Sequence, residues 1–135
     1  MNYVRRAIYA KLEADAALLA LLGSADNASM VGDREATPST LAPFLVVSFD
    51  GGRASFRTGY QTWAIYCEHN KDPQAAANIL KLVKNDLNGQ ILSVSADGGV
   101  ACLECWFMSD TPSHFDKLLR KDVDGKLFRV FTRDI

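Results

Sequence analysis

Apolar residues recur at helical spacing through the first 22 positions. Val4, Ile8 and Leu12 fall four apart, and Leu19 and Leu22 continue the apolar side. The spacing predicts a helix over 2–22. Asp15 interrupts the stripe and can cap a second helical segment, which predicts a kink near residue 14. Gly23 is the expected stop, as glycine is just past many helices. From 24 to 43 the periodicity gives way to turn-formers, among them Asp26, Asn27, Gly32, Asp33, Pro38 and Pro43. This reads as a long connection with a short strand at Met30-Val31.

Beyond it the pattern changes to runs of β-branched and aromatic residues. Phe44 to Phe49 predicts a strand, and Asp50-Gly51-Gly52 a turn. Phe56 to Glu68 predicts a longer strand. It carries Trp63, Ile65 and Cys67 on one side and Tyr60, Thr62, Ala64 and Tyr66 on the other. With apolar bulk on both sides, such a strand is either covered on both faces or meets a partner on one. The two strands should form a hairpin with its tip around 50–56.

Asp72-Pro73 opens a helix, with Ala76, Leu80, Val83 and Leu87 as its apolar stripe and Gly89 as its stop. Ile91 to Ser95 and Val100 to Met108 flank Asp97-Gly98-Gly99, a second hairpin. Thr111 to Lys121 resists assignment: Phe115, Leu118 and Leu119 stand at near-helical spacing after Pro112. Asp124-Gly125 is the expected turn into a last strand, Lys126 to Thr132. The order is helix, hairpin, helix, hairpin, strand. It predicts an α+β fold, with a largely antiparallel sheet built from hairpins and two main helices packed on it.

Composition narrows this further. A chain of 135 residues fits a single domain, 1–135, large enough to form a core without disulfide or metal. With 48% hydrophobic and 23% charged residues it has ordinary globular usage. The net charge of −1 leaves no overall basic footprint, so neither direct nucleic-acid binding nor membrane binding is indicated. Lys117 to Lys121 is the densest basic stretch and reads as a solvated face. The first residues lack the apolar core of a secretory signal, and the longest apolar run, Ala16 to Leu22, is too short to span a bilayer. Three cysteines, Cys67, Cys102 and Cys105, are expected as reduced thiols in a cytoplasm-like setting.

The candidate chemistry is thin. Cys102-Leu103-Glu104-Cys105 has the spacing of a zinc knuckle, but a second pair is missing and residues three apart on a strand point to opposite faces. His69 lies between a strand and a helix with no nucleophile placed beside it, and His114 belongs to no metal motif. Asp122-Val123-Asp124-Gly125 resembles part of a calcium loop, but Lys126 follows and a hairpin turn is the simpler reading. Neither Gly51-Gly52 nor Gly98-Gly99 opens a helix, which excludes a phosphate cradle of the usual type. No catalytic, cofactor-binding or metal-binding residue is expected, and the chain does not read as an enzyme.

Taken together, several features resemble the tail terminator family of long-tailed bacteriophages, also called tail completion or minor neck proteins. They are Leu18-Leu19-Ala20-Leu21-Leu22-Gly23, the passage through Pro43 into Phe44-Leu45-Val46-Val47, and the aromatic strand around Trp63-Ala64-Ile65-Tyr66. The helix Pro73 to Leu87 with its Asn88-Gly89 stop and the closing strand Leu127-Phe128-Arg129-Val130-Phe131 complete them. The resemblance implies a hexameric ring in the tail or neck of the virion, built from protein made in the host cytoplasm. Such a ring stops growth of the tail tube and joins it to the head. Its implied partners are other copies of the chain, the tail tube protein and a head-tail connector protein, and no catalytic residue carries over.

Rival readings are another head-tail connector or stopper ring protein, and a small ligand-binding or enzymatic α+β domain. For a ring, the first hairpin tip is the expected contact with a neighbouring subunit or the tube. It carries Arg53, Phe56 and Arg57, residue types enriched in interface anchors.

Overall fold

The structure is a computed structural model that describes residues 2–23, 42–52, 60–96 and 99–134. The opening helical stretch divides where Asp15 stands. Helix α1 is Asn2–Glu13 and α2 is Ala16–Leu22. The Asp15 carboxylate accepts from the N–H groups of Ala17 (3.0 Å) and Leu18 (3.2 Å), satisfying donors that a new helix leaves open. Gly23 closes α2 in the left-handed conformation, φ +83°, and donates its N–H to Leu19 O.

The strands are β1 (Phe44–Gly52), β2 (Tyr60–His69), β3 (Gln90–Ala96), β4 (Gly99–Asp116) and β5 (Lys121–Asp134). Between β2 and β3 lies α3, Pro73–Leu87. Asp72 caps α3 by accepting from Ala75 N–H at 3.1 Å, and Pro73 fills a first-turn position where no N–H is needed. At its other end Gly89, φ +73°, donates to Cys105 O, and Asn88 Oδ1 accepts from Phe107 N–H, so the helix exit is tied to β4.

The sheet runs β1-β2-β5-β4-β3 with every neighbouring pair antiparallel, in agreement with the α+β expectation. Both expected hairpins pair, β1 with β2 and β3 with β4. The last strand inserts between them and becomes the centre. Side chains alternate across the sheet, so one face receives the helices. Leu45, Val47, Trp63, Ile65, Cys67, Leu103, Cys105, Phe128 and Val130 form one buried cluster there with Val4, Ile8, Leu12, Leu18, Ile79, Leu80, Val83 and Leu87. The opposite face has a smaller buried group, Phe44, Ala64 and Val123, outside that cluster.

Two sequence expectations are corrected, and one stretch left unassigned is placed. β1 continues through Asp50 and Gly51 by a bulge between Phe49 and Gly51, where a turn was expected. Thr111 to Lys121 is the end of β4, a turn over 117–120 and the first residue of β5. The turn is made by Asp116, whose Oδ1 accepts from Leu118 and Leu119 N–H at 3.0 and 3.1 Å, with Arg120 at φ +55°. Asp124-Gly125 is therefore mid-strand. Gly125 is needed there for lack of room: a Cβ would lie 2.6 Å from Tyr66 Cδ1 and 3.0 Å from Ile65 O. The segments carrying Met30-Val31 and Arg53, Phe56 and Arg57 lie outside the described residues.

Candidate functional site

Where β2 runs into α3, the end of the sheet forms an open cleft of about 410 Å³ between the α3 entry and the start of β5. His69, Ser113, His114, Asp122 and Asp124 meet around it. The antiparallel register of β2 with β5 sets His69 opposite Asp122, and that of β4 with β5 sets His114 opposite Val123.

His69 is buried, and both of its ring nitrogens are occupied. Asp72 N–H donates to Nδ1 at 3.0 Å, so that nitrogen carries no proton. Nε2 therefore bears the hydrogen and donates to Asp124 Oδ2 at 2.8 Å. The other Asp124 oxygen accepts from Ser113 Oγ. The carboxylate stands between serine and histidine, whereas a nucleophilic triad needs histidine in the middle. Burial works against ionised Asp124, but the hydrogen bonds from Ser113 and His69 and the nearby charge of His114 outweigh it and hold the carboxyl below its ordinary value. Lys71 N–H donates to Asp122 Oδ2 at 3.1 Å. The arrangement fastens the β2–α3 connection to β5 and leaves His69 no free lone pair for a substrate proton. His114 is exposed; its Nδ1 donates to Pro112 O at 3.2 Å, and its ring stands edge-on to Tyr66.

Two carboxyl pairs lie apart from this cleft. Glu68 is buried and pushed up to about 8, first by burial and then by its hydrogen bond and proximity to Asp116. Asp86 on α3 is pushed up to about 7, again by burial and then by Asp15, the cap of α2. In each pair the raised acid keeps its proton and donates to an ionised neighbour. Glu68 Oε2 and Asp86 Oδ2 have no hydrogen-bond partner.

Cys67 and Cys105 are free and buried, and burial pushes both thiols up to about 12, far from nucleophilic use. The Cys102 side chain is not among those described. Among the described residues no three His, Cys, Asp or Glu side chains gather as a metal site, and no helix is long and apolar enough to cross a membrane.

The more distinctive surface is the sheet face turned away from the helices. The register of β2, β5, β4 and β3 brings Tyr60, Phe131, Arg129, Trp106 and Ile91 to it. Ile91 is 66% exposed, Trp106 45% and Tyr60 44%. The Arg129 guanidinium lies 4.3 Å from the Tyr60 ring centre, Tyr60 meets Phe131 at 5.9 Å, and Trp106 Nε1 donates to Glu104 at 2.7 Å. Trp, Tyr and Arg are the types that carry most energy in protein interfaces. The alternation Leu127, Arg129, Phe131 marks one face of β5 in sequence. Its position beside Tyr60 depends on β5 lying next to β2.

No protein-family model matches the chain, and no curated protein matches it. Among solved structures, a chain in the virion of a native gene transfer agent particle has the same fold. The TM-score is 0.67 with 21% identical residues, covering 96% of this chain and 94% of that one. At that identity the likeness is one of fold.

Proposed function

We propose that this chain is a structural virion protein of a phage or phage-like particle. It assembles into a closed, hexameric ring that terminates the tail tube and joins it to the head. The observation that carries the reading is the fold shared, over nearly the whole of both chains, with a component of a gene transfer agent virion. The sequence features that resemble tail terminators point the same way, and the buried histidine and thiols are occupied in holding the fold. The exposed aromatic and arginine face suits a protein that works by contact.

The test is genetic. Removing the chain from its particle should give overlong tails without heads, and supplying it in trans should restore normal ones. Tails of normal length that lack only heads would favour a connector or stopper ring instead. Normal infectious particles without the chain would end the proposal. Arg53, Phe56 and Arg57 are proposed to contact the neighbouring subunit or the tube. Arg53→Glu with Arg57→Glu should leave the melting temperature nearly unchanged while impairing capping; normal capping would place the contact elsewhere.

A further inference from the structure

Among the described residues the sheet ends at β1 and β3, with no further strand paired to either. Proteins that live as monomers blunt such edges with lysine or other charges, proline, short length or bulges, because an open edge pairs with other chains. Here the bulge comes only near the end of β1, and most of the charge lies away from the edges. Ionisable residues crowd the inner strands, with Glu68 and His69 in β2, Glu104 and Asp110 in β4, and Lys126 and Arg129 among those of β5. The first six residues of β1 read Phe-Leu-Val-Val-Ser-Phe, and Asp50 arrives only at the bulge. β3 reads Gln-Ile-Leu-Ser-Val-Ser-Ala. Neither strand contains lysine or proline. α1 approaches β3, and Leu92 joins the core there. Among the described residues no backbone hydrogen bond from outside the sheet reaches β1 or β3.

A partner of another kind needs one bare edge. Two edges with no paired strand among the described residues, at opposite ends of one sheet, suit head-to-tail pairing of identical copies, because each copy both offers and receives a strand. The strand count sets the sense of that pairing. All neighbours are antiparallel and there are five strands, so β1 and β3 run in the same direction. Copies related by rotation about a ring axis would therefore pair β1 with β3 in parallel. A two-fold β1–β1 contact would be antiparallel and would stop at a dimer.

We propose that copies of this chain join by laying β1 of one alongside β3 of the next, in parallel, so that the sheets continue around the assembly. The inference rests on the ring reading above and names the surface that would build the ring. It is tested by light scattering after size exclusion on the full chain, on Ser48→Lys in β1 and on Ile91→Lys in β3. The wild type should exceed a dimer. Each variant alone should be a monomer, because its remaining open edge has no counterpart. An equal mixture should form a one-to-one dimer and nothing larger.

A variant that keeps the wild-type mass, or dimerises alone, overturns the edge pairing while leaving self-association intact. Open filaments of the wild type that both variants abolish keep the pairing and remove the closed ring. A wild type that stays monomeric at high concentration ends both. Hydrogen exchange on the unaltered chain guards against misfolded variants. Alternate amides of 44–49 and 90–96 should slow at least tenfold on assembly, and unchanged exchange there overturns the inference.

Discussion

At the scale of single residues, Gly125 shows how one letter admits two physical meanings. Beside Asp124 it satisfies turn chemistry, yet it lies inside β5 because Tyr66, Thr111 and the Ile65 carbonyl leave no room for a side chain. The Tyr66 ring can swing aside but the backbone oxygen cannot. Gly125→Ala should therefore cost about 1–3 kcal/mol, the usual range for overpacking, as read from denaturant unfolding. An unchanged midpoint would mean that the strand yields more easily than its contacts imply. The shared-proton pairs give a second residue-scale expectation. Glu68 and Asp86 hold protons at pH values where unfolded carboxyls have lost them, being pushed up to about 8 and about 7. The folded state then binds more protons than the unfolded one, so their contribution is complete below about pH 4 and is lost as pH rises through 7 and 8. Their partners Asp15 and Asp116 are held low and act oppositely, losing their contribution in acid. Thermal stability should thus decline between about pH 5 and 8, and Asp86→Asn with Glu68→Gln should flatten that decline.

At the scale of elements, the helices were legible because their ends are local chemistry. Asp15, Gly23, Asp72 and Pro73 mark the boundaries in the sequence and occupy those roles in the fold. Asp72→Ala should cost about 1 kcal/mol of stability, the typical worth of such a cap, measured by thermal or denaturant melting. A loss below a few tenths would mean that His69 and the packing of α3 hold the helix start without it. The strands were legible in number, but neither the end of β4 nor the start of β5 was. Phe115 is 55% exposed and Leu118 85%, so their helix-like spacing reflects apolar residues pointing outward around a turn, and periodicity carries no information there. The insertion of β5 between β2 and β4 was illegible for a different reason. It joins residues about 60 positions apart, such as Trp63 and Phe128, and no short window of sequence contains that pairing.

At the scale of the molecule, what the sequence could not show is how residues far apart in the chain come together. His69 was visible as a candidate base, but its role as a buried tie between Asp72 and Asp124 needed the register of β2 with β5. Tyr60, Arg129, Trp106 and Ile91 were each present in the sequence, but only the sheet order places them on one exposed face. The edge strands and the aromatic face suit the association proposed for this chain. Electron microscopy of the purified full-length chain tests it most directly. Closed rings of uniform copy number, hexameric by the resemblance to tail terminators, are the result expected; single globular particles at every concentration, with none bound at the ends of tail tubes, would contradict it.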